Sequence, residues 1–379
     1  MANQLEILDD VPVSPNLRDG ARDVTCFCPT TCLLGDGSVV CSYRSGREKH
    51  SRDGILVSQR SLDGGRTWLE PVVIYDGMGG VAPQSVHTGA LCVLGGESIL
   101  AVFTAVEAKQ PDAYIFSETG RQLAQRLYVS HSHDGGASWT SAAPKHLANV
   151  PHNFYIGSHP FLLTNGTVFL PIEATLAGGV EIILGTVSTD GGASWEPVWT
   201  CAADPVKRVG YGDPRFAQLP DGRLVMLLWC WTIEDEQTLA VHRSFSEDQG
   251  RSWSTPTSTG VLSQIMTPLA LDEARMIAVS NVRTRPEGSR LWQSMDGGES
   301  WDVDHPFYMW DPYAERMQGA PLEKASPEVQ RSQESLWASL PSFTFGTPEL
   351  LRLSESEFLL TYYGTVRGVT HVRACRFRL

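Results

Sequence analysis

Several features that would place this chain in a familiar class are missing from it. No apolar run approaches the length needed to cross a bilayer. The N-terminus, Met1 to Asp10, carries no basic stretch ahead of an apolar core, so it does not read as a signal peptide. Positive charge is also short. Lys and Arg number 30 against 43 Asp and Glu, a formal net charge of −13 and the wrong sign for a protein that tracks phosphate backbones. An anionic small ligand is still admissible if a local cluster of Arg overcomes that background.

The cysteines lack a framework. Eight are present, at 26, 28, 32, 41, 92, 201, 230 and 375, mostly inside apolar strand-like runs rather than in loops. Cys26, Cys28 and Cys32 invite a zinc reading, but no second Cys pair or His cluster follows at finger-like spacing, and core packing on a strand face explains them better. The expectation is a cytoplasmic protein with free thiols, without a metal or other cofactor, and with neither nucleic acid nor membrane as a partner.

What the chain does have is one turn in five copies: Ser61 to Trp68, Ser132 to Trp139, Ser188 to Trp195, Ser246 to Trp253 and Ser294 to Trp301, each reading Ser-x-Asp-x-Gly-x-Ser/Thr-Trp. An Asp side chain can accept bonds from the following backbone N–H groups, Gly supplies a positive φ, and the indole anchors the turn. A motif at such intervals marks a repeat architecture. Five aspartates on five separate units do not make an acid or metal cluster.

A second repeat runs out of phase with the first. A Pro enters an apolar strand, a Gly-rich or acidic turn follows, and another apolar strand returns. The copies begin at Cys28-Pro29, His87-Thr88, His159-Pro160, Asp213-Pro214, Thr267-Pro268 and Thr347-Pro348. Each pair is a hairpin. With the Asp-turn hairpin added, the unit has four antiparallel strands, and six units predict an all-β, six-bladed β-propeller as one domain over residues 1–379. The last strand, Val369 to Leu379, has nothing after it, so Leu5 to Val13 is expected to supply the outermost strand of blade six and close the ring. The long connection between blades five and six, about 302–345, has a candidate helix from Pro327 to Trp337 and reads as a wall of the pocket or a subunit interface. Oligomerisation is left open.

All six innermost strands of such a ring start at one end, and the Asp turns lie at the other. The site is therefore sought beside the Pro positions: Phe27, His87, His159, Asp213 with Arg215, Met266 with Thr267, and Thr347 with Glu349. Asp53, at the entry to a third strand, could reach the axis from the charged loop Arg44 to Asp53. His87 and His159, at matching places in adjacent blades, form an acid/base and anion-binding set with Asp213 and Arg215, or else each bonds a neighbouring loop. Trp229 and Trp231 offer a stacking face, with core packing the expected role of one of them.

The five turns resemble the Asp-box, or BNR, repeats of the sialidase superfamily, and the resemblance covers nearly the whole chain. It implies hydrolysis of terminal sialic acids by three carboxylate-binding arginines, a Tyr nucleophile paired with a Glu, and an Asp acid/base. The first of those arginines would stand in a Phe/Tyr-Arg-Ile-Pro motif, where this chain has Phe27 in Cys26 to Pro29. A second falls where Trp229 to Trp231 lies, whereas Arg283 matches. The nucleophile region reads Phe345 to Glu349 without a Tyr, and Tyr362 and Tyr363 lie farther along.

The expected function is a sialidase-like glycoside hydrolase acting on a terminal sugar in the central funnel. Asp53 or Asp213 serves as acid/base, His87 and His159 transfer or orient protons, and Glu349 is the second carboxylate. Arg215, Arg283, Trp229 and Thr347 bind substrate. Two alternatives stand beside it: a non-catalytic propeller binding carbohydrate or protein, and a polysaccharide lyase on the same scaffold.

Overall fold

The computed structural model describes residues 4–16, 24–79, 81–109, 114–115, 123–177, 179–322 and 342–379. Six antiparallel sheets surround an axis. Blade one runs outward through Thr25–Leu33, Val39–Gly46, Ile55–Ser61 and Val72–Tyr75, and blade two through Gln84–Gly95, Ser98–Glu107, Arg126–Ser132 and Ala143–Lys145. Blade three has a broken inner strand, Phe154–Tyr155 and Phe161–Leu162, followed by Val168–Leu176, Val180–Ser188 and Trp199–Ala202. Blade four comprises Val209–Gln218, Leu224–Thr232, Ala240–Ser246 and Thr257–Leu262. Blade five adds a fifth strand to the expected four: Gln264–Ala270, Met276–Val282, Gly288–Ser294, Phe307–Asp311 and Arg316–Pro321. No helix among the described residues is long and apolar enough to cross a membrane.

The expected six-bladed propeller is thus observed, and so is its closure. Blade six consists of Phe345–Arg352, Glu357–Val366 and Val369–Arg378, and Glu6–Pro12 completes it by pairing antiparallel with Val369–Arg378. Charge selects this partner. The N-terminal strand carries Glu6, Asp9 and Asp10, and the strand it meets carries Arg373, Arg376 and Arg378, each bonded to one of them. Arg373 binds Asp10 at 2.8 Å with side-chain exposures of 11% and 14%, and Tyr362 donates to the same carboxylate at 3.1 Å. Asp10→Ala strands a guanidinium in the closure, and a loss of about 3 kcal/mol is expected in chemical denaturation. A loss below about 1 kcal/mol would make the pair an ordinary surface bridge.

The Asp turns do more than end hairpins. In the first, Ser61 and Asp63 share a bond, Asp63 accepts from Thr67 N and Oγ1, and Gly65 donates to Ser61 Oγ. Gly65 has φ 92°, and a Cβ there would lie 2.8 Å from Leu359 of blade six. The equivalent Gly192 and Gly250 press on Leu100 and Phe169 in the second strand of the blade before. Each turn therefore fills a seam between blades as well as closing its own strand pair.

All eight cysteines are free, and only Cys28 is not fully buried. The candidate helix from Pro327 to Trp337 lies outside the described residues.

Candidate functional site

The positions of the second repeat lie at or beside bulges rather than at strand starts, and Pro29, Pro214 and Pro348 sit inside them. The innermost strands begin a few residues earlier, and their register slips between Phe27 and Thr30, Val86 and Thr88, Gly212 and Arg215, Gln264 and Met266, and Gly346 and Glu349. Proline has no N–H to give the ladder, so a bulge is where a strand can hold it. At four of these sites a non-glycine residue has positive φ: Cys28 at 53°, Asp213 at 44°, Ile265 at 32° and Thr347 at 43°. Such conformations cost on the order of 1–3 kcal/mol each and cluster where a side chain must be aimed. Here they aim residues of separate blades at one axis.

The funnel so formed leaves about 970 Å³ of empty space, part of it open to solvent. Of the predicted residues, His87, Asp213, Arg215, Trp229, Arg283, Thr347 and Glu349 line it. Ser158 Oγ, Trp229 Nε1 and Thr347 Oγ1 are buried in its wall without a hydrogen-bond partner among the described residues. Donors left waiting in this way suit a hydroxyl-rich ligand.

One group of residues at the funnel is acidic. Arg215, 2% exposed, stands 3.4 Å from Glu349 Oε1 and 3.8 Å from Asp213 Oδ1, and it donates to the Gly157 carbonyl at 2.7 Å. His159 reaches across from blade three to Glu349 Oε2 at 3.2 Å, although it is not among the lining residues. Burial, and then Glu349, push the Asp213 carboxyl upward. Behind the wall, Glu173 accepts from the Tyr155 hydroxyl and from Asp213 N at 2.8 Å. Burial and the Asp213 charge push Glu173 up to about 8.

A second group is cationic. Arg283 donates to Gln264 Oε1 and the Phe345 carbonyl, and its guanidinium lies 4.0 Å from the Phe343 ring and 4.1 Å from that of Phe345. Lys49 sits 5.4 Å over the Tyr363 ring and donates to the Phe343 carbonyl. Burial, and then Arg283, lower the Lys49 ammonium to about 7. Phe343 belongs to the long connection, which does contribute to the pocket wall. His87 is brought down to about 3 by burial, so it remains a neutral imidazole at working pH and can orient rather than protonate.

Residues 37–311 match the family described as BNR repeat-like domain. The chain belongs to that family. No curated protein matches it. Among solved structures, the BNR repeat-like chain is similar to a protein of unknown function from Dyadobacter fermentans, with 19% identity, full coverage of both chains and a TM-score of 0.71. It is similar to the Hadza microbial sialidase Hz136 at 14% identity, TM-score 0.68, covering 94% of this chain and 66% of that one. It is also similar to the intramolecular trans-sialidase from Ruminococcus gnavus, solved with oseltamivir carboxylate, at 12% identity, TM-score 0.62 and coverage of 93% and 94%. At these identities the likeness establishes the fold.

The BNR repeat-like scaffold carries its site residues unevenly. Asp53 is absent from the funnel lining. Its carboxylate is held within its own loop by Arg47 at 2.7 Å and by Ser51. The same loop instead sends Lys49 and His50 inward. Phe27 does line the funnel, and the Arg44 guanidinium lies 5.6 Å from its ring, bonded to the carbonyls of Val86, Glu48 and Ser51. Trp229 packs on Trp231 with centroids 4.9 Å apart, and only Trp229 faces the pocket. Sequence reasoning missed Lys49, Tyr155 and Glu173. The charged loop was a usable signal for Lys49, and for Glu173 the signal was a lone charge in the apolar run 168–176.

Proposed function

We propose that the funnel hydrolyses the glycosidic bond of a terminal acidic sugar. Asp213 donates the proton to the leaving oxygen, Glu349 is the second carboxylate, and Lys49 and Arg283 hold the sugar's acidic group. The observation that carries this reading is the Asp213–Arg215–Glu349 group at the axis, where a carboxyl raised by burial and a second carboxylate share one guanidinium. Two carboxyls in different environments are what most glycoside hydrolysis uses. The cation pair adds the substrate class. Lys49 and Arg283 bond neutral acceptors only among the described residues, so an anion between them would relieve their mutual repulsion. Structural neighbours named as sialidases, one solved in complex with sialic acid, support the same substrate class.

A lyase is the second reading. It is favoured by Lys49, an amine that releases its proton near pH 7 beside the Tyr363 phenol and could act as the base of an elimination.

A panel of 4-methylumbelliferyl glycosides and acidic polysaccharides separates the readings. Release of fluorophore from acidic but not neutral sugars is expected, and it should weaken as pH rises through about 7 and Lys49 loses its charge. Ultraviolet absorbance from an unsaturated uronate would favour the lyase. Binding without product would favour a carbohydrate-binding propeller.

A further inference from the structure

Glu173 is 3% exposed and does not line the funnel, yet two residues that do line it are bonded to its carboxyl. One is Tyr155, whose hydroxyl donates to Oε2. The other is Asp213, whose backbone N–H donates to the same oxygen at 2.8 Å. That N–H belongs to the bulge in which Asp213 holds φ 44°. A buried carboxyl thus ties the strained residue of blade four to the broken inner strand of blade three.

The chain makes room for this carboxyl at two glycines. A Cβ on Gly157 would stand 1.6 Å from Glu173 Oε1, and one on Gly212 would stand 3.2 Å from Oε2 and 2.8 Å from the Trp231 ring. Any larger residue at 157 would have to displace the carboxyl. Oε1 itself is buried and has no hydrogen-bond partner among the described residues. An ionised carboxylate with one bare oxygen in such a place is costly.

We propose that Glu173 is the positioning residue of this site: its carboxyl fixes the Tyr155 hydroxyl and the Asp213 bulge, and it holds one proton in common with Asp213. Asp213 and Arg215 face Glu173 from blade four, and Tyr155 faces it from blade three. Burial and the charge of Asp213 make the two carboxyls titrate as a pair, and their last proton leaves near pH 8. The proton rests on Glu173 while Asp213 is ionised, and Glu173 returns it to Asp213 when it ionises. No step needs a further reactant.

The inference rests on the hydrolase reading for its kinetic test but not for its spectroscopic one. In infrared difference titration, the wild-type protein should show a protonated-carboxyl band that disappears as pH rises through about 8. Glu173→Gln and Asp213→Asn should each move that loss to lower pH. This readout needs no substrate. A band absent at pH 7, or unmoved by either variant, overturns the proposal.

With a glycoside from the panel, the alkaline limb of kcat should move to lower pH in Glu173→Gln while most of kcat survives at the new optimum. Glu173→Ala, which also frees Tyr155 and the bulge, should lose about 10²-fold in kcat with KM nearly unchanged. Gly157→Ala should reproduce that loss with Glu173 still present. A wild-type limb and kcat in Glu173→Ala would overturn the assignment. If no glycoside is cleaved, the hydrolase reading fails and the infrared band alone decides the proton-sharing pair.

Discussion

Asp213→Asn is expected to lower kcat by roughly 10²–10⁴-fold with little change in KM, because the side chain keeps its shape and loses only its transferable proton. The substitution should not disturb the fold. Asn is one of the few residues that accept positive φ readily, and position 213 requires it at 44°. The deficit should also depend on the leaving group. A sugar alcohol needs protonation as it departs whereas a methylumbelliferyl phenol needs much less, so the variant should suffer most on natural linkages. Equal losses on both would mean that Asp213 is not the donor, and an unchanged kcat on an oligosaccharide would sink the role altogether.

Arg215→Met should produce the largest loss of stability. Arg215 is 2% exposed and lies between Asp213 and Glu349, so its removal leaves two carboxylates facing each other in a dry wall. Breaking a buried pair by deleting one partner costs about 3–5 kcal/mol. The pH dependence identifies the cause. Without the guanidinium the Asp213 carboxyl is raised further above its unfolded value, so the folded state retains a proton that the unfolded state has released. Stability of the variant is therefore best below the unfolded carboxylate range and falls as pH rises through the folded values. Urea melts at pH 5 and pH 7 should show a smaller deficit at pH 5. A deficit equal at both would assign the loss to packing and to the bonds from Arg215 to the Gly157 and Pro214 carbonyls.

The fold was legible because its signals are local. An Asp turn is built from residues within eight positions of one another, so Asp63, Asp134, Asp190, Asp248 and Asp296 make the same bonds in five places, and the sequence shows all five. The Pro positions were half legible. They pointed to the end of the ring where the funnel lies, while the bulge that makes them matter depends on a ladder with the neighbouring strand.

The site was less legible because it is assembled across blades. In the loop Arg44 to Asp53, side-chain type alone favoured Asp53, but Arg47 and Ser51 capture that carboxylate nearby while Lys49 and His50 turn inward. Glu173 sits within Val168–Leu176, where a buried charge would not be expected without its partners in view. Those partners, Tyr155 and Asp213, come from a broken strand and from the next blade.

The strand pairing that completes blade six has a consequence for how the chain acquires its structure. Most contacts within a blade join neighbouring hairpins and can form as soon as those hairpins exist. The Glu6–Arg378 bridge instead spans 372 residues. Loop-closure entropy must be met before such a contact gives anything back, and distant pairings slow folding accordingly. Blades one to five can therefore mature during synthesis, whereas blade six waits for the last strand to emerge. Until then the chain is an open arc whose N-terminal strand, Glu6–Pro12, is unpaired, and its three acids disfavour pairing with a strand that lacks arginines.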